Sequence, residues 1–135
     1  MTNIIQTGDK ILRETAKEIA LTEIKTPKIK EILKKMTIAL SKAQDGVALA
    51  APQIGLPLRI FIVYKIYTDQ KTMQKMAEKE KKGGKKLPPA EFGFDVFINP
   101  KIFKISKKKQ TVKEGCLSVI GVFGAMQRAE KVTVE

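Results

Sequence analysis

A chain of 135 residues with 43% apolar composition fits one domain with enough material for a sizeable core, which argues against a largely disordered protein. No stretch approaches the roughly 20 apolar residues of a membrane span, and the N-terminus MTNIIQTGDK lacks the basic patch and apolar run of a secretory signal, so a cytoplasmic protein with no membrane partner is expected. The single cysteine, Cys116, excludes an intramolecular disulfide framework, and the formal charge of +12 rests almost wholly on lysine, since Arg13, Arg59 and Arg128 are the only arginines.

The clearest predicted helix covers residues 26–45. Thr26 can cap it, Pro27 suits its first turn, and Ile29, Ile32, Leu33, Met36, Leu40 and Ala43 recur at three- and four-residue steps. Gly46 stands where a left-handed helix end is common. The run LRIFIVY, Leu58 to Tyr64, is nearly continuous apolar and β-branched, the pattern of a strand buried on most of both faces.

Beyond it the character changes. Residues 68–82 are polar and helix-forming and close on Gly83-Gly84 and Pro88-Pro89, predicting a short exposed helix whose Met73, Met76 and Ala77 can rest on the body, within a lysine-rich surface insertion at about 66–90. Strand patterns resume at 95–99, 102–105, 110–113 and 131–134. The expected class is α+β, with small antiparallel sheets packed against the N-terminal helix in a single domain spanning 1–135. Lysine gives diffuse attraction to phosphate rather than base readout, and Lys107-Lys108-Lys109 has neither arginines nor aromatic platforms beside it, so most lysines are expected to be solvated surface.

Two short motifs hold the candidate chemistry. GVALAAPQ, Gly46 to Gln53, places small residues where a backbone must pass close to something and ends in an amide side chain; in isolation it also reads as a tight helix-to-strand connection. It lacks the Gly-Lys-Ser/Thr ending of a phosphate loop. In EGCLS, Glu114 to Ser118, a lone cysteine reads first as a buried small hydrophobe. Of its neighbours Lys113 and Glu114, only the lysine would lower a thiol pKa. With no histidine in the chain a Cys-His nucleophile pair is excluded, and a thiolate without further nitrogen or sulfur ligands does not make a self-contained metal site.

GVALAAPQ, then INPKI at Ile98 to Ile102, EGCLS, and RAEKVTV at Arg128 to Val134, together with the opening IIQTGDKILRETAKEI at Ile4 to Ile19, resemble the peptide deformylase family in identity and order. The resemblance covers the chain outside 66–90. It implies metal-dependent hydrolytic removal of the N-formyl group from the N-terminal methionine of nascent polypeptides, on Fe2+ or Zn2+. It assigns Gln53 and the Leu117 backbone N–H as donors to the formyl oxygen and Cys116 as a thiolate metal ligand. Val47 and Val112 would line the methionine pocket, Ala48 and Gly115 would offer backbone to the peptide as an added strand, and Glu114 would pair with Arg128 to hold EGCLS.

Two departures accompany it. Ala48 stands where the family usually has glycine. The HExxH helix, which supplies two histidine ligands and a glutamate acid–base, is missing, and the alternating pattern runs out at VTVE; the expectation is a C-terminally incomplete chain that by itself binds no metal and is inactive. The rival readings are a non-catalytic relic that still grips a peptide or a ribosomal surface, and a basic nucleic-acid-associated protein. Weak association with ribosomes or ribosomal RNA is expected from the charge.

Overall fold

The computed structural model describes residues 3–135. The long helix, α1, spans Pro27–Lys42 and buries Ile29, Ile32, Met36, Ala39 and Leu40, the apolar stripe that the three- and four-residue steps place on one face. Its ends differ from the sequence expectation. The Thr26 hydroxyl does not cap the helix; it donates to the Glu23 carbonyl at 2.7 Å. At the other end Ala43 is already extended, and the left-handed residue is Asp45 (φ 57°) rather than Gly46. Gly46 is needed for a different reason: a Cβ there would sit 2.8 Å from Cδ1 of Leu40, a fully buried side chain, so only glycine lets the chain pass this close under the helix.

From that crossing the chain enters a three-stranded antiparallel sheet of β1 (Ala48–Ala50), β2 (Ile60–Tyr64) and β3 (Phe94–Ile98), with β2 in the middle and Leu49, Ile62 and Val96 in register across it. Along β2 the side chains of Ile60, Ile62 and Tyr64 point into the core against α1, while Phe61 and Val63 are half-covered on the other face, where Phe61 stacks on Phe97 with centroids 4.5 Å apart. Met36, Leu40, Leu49 and Ile62 are fully buried and form the centre of the core. The Tyr64 hydroxyl donates to the Leu40 carbonyl at 3.2 Å, tying the last turn of α1 to the sheet, and burial pushes its pKa up.

Residues 3–20 form no long element but are stitched to this layer. Lys17 bridges Leu58 in parallel, with the Lys17 N–H donating to Pro57 and the Arg59 N–H donating to Lys17, both at 2.8 Å. Asn99, in the left-handed region (φ 53°), uses both ends of its amide on Ile19: Oδ1 accepts from the Ile19 N–H at 2.8 Å and Nδ2 donates to its carbonyl at 2.7 Å. The side chain thus replaces a strand neighbour for a segment with none.

The second half contributes two narrow sheets. β4 (Ile102–Ile105) pairs with β7 (Val132–Val134), and β5 (Lys109–Cys116) pairs with β6 (Val119–Ala129). The eleven residues of β6 lie between the strand patterns expected at 110–113 and 131–134; Gly121 (φ 77°) lies in a bulge where the register jumps, and such breaks hide a period-two pattern. Ile102, Phe103, Ile105, Ile120, Val122 and Phe123 leave these sheets with open apolar faces. The class is α+β, as expected.

A second helix, α2, spans Gln70–Gly83, capped by the Asp69 carboxylate and ended by left-handed Gly84. Its half-buried side is Thr72, Met76 and Glu80, with Met73 and Ala77 exposed, so of the three apolar residues expected to face the body only Met76 packs against the core. Ile66 is buried, and the solvated part of this region is α2 and its return. Replacing residues 70–86 by a short Gly/Ser turn, sparing Ile66, is expected to leave a folded, protease-resistant protein, whereas Ile62→Ala should cost about 2–5 kcal/mol in urea unfolding.

Candidate functional site

The two motifs meet through one side chain. A single turn at Ala51–Ile54 after β1 carries Gln53, and the two-residue turn between β5 and β6 carries Leu117 and Ser118. Oε1 of Gln53 accepts from the Ala50 N–H at 2.9 Å, which orients the amide. Nε2 then donates to Ser118 Oγ at 3.0 Å and lies 3.7 Å from Cys116 Sγ. Ser118 is buried, so this contact takes place away from solvent.

A strand-like segment at the N-terminus straps both motifs from behind. The Ile5 N–H donates to the Gln53 carbonyl and the Thr7 N–H to the Ser118 carbonyl, each at 2.7 Å, while Gln6 Nε2 donates to the Leu117 carbonyl at 3.0 Å. Backbone carbonyls of the turn are thereby satisfied on the side away from the cleft.

In front of this strap lies a cleft of about 1300 Å³ that brings together Val47, Ala48, Gln53, Val112, Gly115, Cys116 and Leu117, every site residue named from the sequence. One wall is the entry to β1, Val47 and Ala48, and the other is the β5–β6 hairpin, Val112 to Cys116 and Val119 to Phe123; among the described residues β1 is outermost in its sheet and β5 pairs with β6 alone, so each keeps an unpaired edge. An extended peptide can add its backbone between such edges. Val47 and Ala48 are exposed on the first wall and Val112 is half-buried on the second.

Cys116 is exposed, so the reading of a lone cysteine as a buried hydrophobe does not hold: it sits at the hairpin end rather than in the core. Lys113, the candidate activator, has its ammonium over the Phe123 ring at 5.4 Å. Glu114 and Arg128 form a two-pronged ion pair, Nε to Oε1 at 2.8 Å and Nη2 to Oε2 at 2.7 Å, joining β5 to β6 beside the turn. The hydrogen bonds and charge of Arg128 hold the Glu114 carboxyl below its ordinary range.

The residues present do not fit a metal ion. Among the described residues no three His, Cys, Asp or Glu side chains converge, and Glu114, the carboxylate nearest Cys116 in sequence, is taken by Arg128.

Sequence reasoning missed Ser118, Gln6, Tyr67 and Phe123. Phe123 has a trace in the sequence: a Cβ on Gly115 would lie 2.7 Å from its ring, so the glycine marks an aromatic packed on the backbone at the cleft. Tyr67 enters the cleft only because the chain turns there before α2, which no local pattern announces.

A helix over a small antiparallel sheet, with a strapped amide and a thiol at one cleft, defines an α+β protein whose two motifs converge on a single site. The polypeptide deformylase family model matches residues 1–135, and the chain belongs to that family. It is 36% identical to the chloroplastic peptide deformylase 1A of Solanum lycopersicum over 134 residues, 99% of this chain and 46% of that protein. It is 37% identical to the peptide deformylase of Carboxydothermus hydrogenoformans over 132 residues, 98% of this chain and 67% of the relative. Among solved structures, the peptide deformylase of Thermotoga maritima superposes with a TM-score of 0.72 at 27% identity, covering 99% of this chain and 71% of that one. A class I type b enzyme from Acinetobacter baumannii gives 0.74 at 26%, covering 97% and 72%. The chain spans about half the length of the plant relatives it matches.

Two outcomes follow from this geometry. Ser118→Ala removes the hydroxyl that receives the Gln53 amide and should cost about 1–3 kcal/mol, with the Gln53 side-chain NH2 resonances showing loss of order by NMR. The Glu114–Arg128 pair contributes above the ordinary glutamate pKa of 4.5 and is lost as pH falls through the depressed native value. A 13C titration of Glu114 should therefore show a midpoint below 4.5 that moves up toward it in Arg128→Gln.

Proposed function

We propose that this chain carries the substrate-gripping part of a peptide deformylase, acting on the formylated N-terminal methionine of nascent polypeptides. The observation that carries the reading is the Gln53 amide, locked by Ala50 and Ser118 with its nitrogen 3.7 Å from Cys116. In this reading the formyl oxygen takes its hydrogen bonds from Gln53 Nε2 and the Leu117 N–H. Hydrolysis adds water across the formyl C–N bond, releasing formate and a free amine, and negative charge grows on that oxygen as the carbon becomes tetrahedral. Donors fixed in advance need no reorganisation at that moment, and each is worth about 2.7–4 kcal/mol in a comparable hydrolase.

Val47 and Val112 take the methionine side chain, and the backbone of Ala48 and Gly115 pairs with the peptide on either wall. The resemblance implies a metal, iron or zinc, that supplies activated water in a complete site with Cys116 as one ligand. With one thiolate and no imidazole these 135 residues do not supply that site. Peptide holding without turnover is therefore the reading for the polypeptide on its own. A reducing, cytoplasmic setting suits an exposed free thiol, and the excess of lysine supports weak, salt-sensitive association with ribosomes, where formylated chains emerge.

The 135-residue polypeptide should bind a formyl-methionyl tripeptide by calorimetry, lose up to about tenfold in affinity on Gln53→Ala, and release no formate with ferrous iron under anaerobic conditions. Joined to an HExxH segment from a family member it should turn over, and Gln53→Ala should then lower kcat by about 10²–10³. Stoichiometric metal and formate release by the unextended polypeptide, or no peptide binding at all, would overturn the reading.

A further inference from the structure

α2 has no part in the cleft chemistry; it is anchored at its first turn and through Met76. The Asp69 carboxylate caps it, the Thr68 hydroxyl donates to Asp95, and Thr72, Met76 and Glu80 turn toward the body. Along one flank stand Lys71, Lys75, Lys79 and Lys82. At 3.6 residues and 5.4 Å per turn they fall within an arc of roughly 80°, successive members about 4.5–6 Å apart along the axis.

All four are exposed, and among the described residues none is in an ion pair. Lys79 lies over the Phe92 ring at 5.6 Å, which steadies its stem without neutralising its charge. Lys81 adds to the last turn, and Lys85 and Lys86 continue the charge past the helix end, giving seven lysines against two glutamates between 71 and 86. Of those two, Glu80 faces the body and Glu78 borders the stripe.

We propose that this flank of α2 is a docking surface for the phosphate backbone of structured RNA. The proposal rests on the nascent-chain reading above for the choice of RNA, and deepens it by locating the contact. A capped, packed helix presents its ammonium groups at fixed spacing, so less side-chain and backbone freedom is lost on binding than from a flexible lysine tail. The absence of arginine between Thr68 and Ala90 matches backbone attraction without base readout. A bilayer is the poorer partner, because interfacial helices insert Trp, Phe or Leu, and the exposed side here offers only Met73 and Ala77. Tyr67, at the cleft, stands three residues before Gln70, so RNA held by α2 lies near the cleft mouth.

The test measures binding of the full chain to a ribosomal RNA hairpin by fluorescence anisotropy across a salt series. Lys71, Lys75, Lys79 and Lys82 are changed together to glutamine, and in a matched control the exposed Lys28, Lys30, Lys34 and Lys35 of α1 are changed likewise. Helix content is checked by circular dichroism. With about four phosphates neutralised, the slope of log K against log salt should be about −3 to −4. The α2 variant should lose at least about tenfold in affinity and flatten the slope by about 3, and the α1 variant should lose less than about threefold.

Equal losses in the two variants would show diffuse charge and overturn the proposal, as would no RNA binding at low salt or tighter binding to phosphatidylglycerol–phosphatidylcholine vesicles than to RNA. Formyl-methionyl peptide binding, measured on the same proteins, separates the readings. Peptide binding without α2-dependent RNA binding sinks this inference alone, and RNA binding without peptide binding sinks the deformylase reading alone.

Discussion

The Gln53 amide is the joint on which the rest of the site depends. It is a neutral side chain with a donor end and an acceptor end, and the fold uses both to couple segments 65 residues apart in sequence. An apolar residue there could pack but would not orient the β5–β6 turn. A carboxylate would accept from Ala50 but would have no hydrogen to give Ser118. The joint works because its acceptor end is satisfied locally, three residues back, leaving the nitrogen to face Ser118 and the thiol.

Such a joint requires close backbone approach on both sides of the cleft, and glycines provide it. Gly46 lets the chain leave α1 under Leu40, and Gly115 accepts the Phe123 ring against its α-carbon. The N-terminal strap then closes the arrangement from behind, with hydrogen bonds from Ile5, Gln6 and Thr7 to carbonyls of both motifs. These are short-range, directional contacts on a core centred on four large, fully buried side chains. Disturbance of the strap would therefore be felt at Gln53 before it was felt in global stability.

The two halves of the molecule contrast in how they meet water. The centre of the sheet under α1 is covered, with Leu49, Ile60, Ile62 and Tyr64 accounted for by mutual burial, while Val96 stays exposed. The β4–β7 and β5–β6 pairs carry Phe103, Ile120 and Phe123 into solvent, so their order rests on backbone ladders and the Glu114–Arg128 pair more than on packing. The cleft lies where these regimes join, between the chain entering β1 and the β5–β6 hairpin. α2 adds a third surface, mostly polar and defined by charge.

Much of this was legible in the sequence where the physics is local. The apolar steps from Ile29 to Leu40 specify a helix face, and the β-branched run at Ile60 to Tyr64 specifies a buried strand, because side-chain period follows directly from backbone geometry. The motif order pointed to the family, and every residue named for the site lines one cleft. What the tertiary structure alone decided are contacts whose partners are distant and whose signals are single residues: Ser118 receiving Gln53, Asn99 standing in as a strand for Ile19, Phe123 lying on Gly115, and Cys116 exposed rather than buried. The β6 strand was hidden because its bulge breaks the alternation by which strands are recognised. Periodicity is a property of one segment, whereas a hydrogen bond between two turns depends on where the whole chain has brought them.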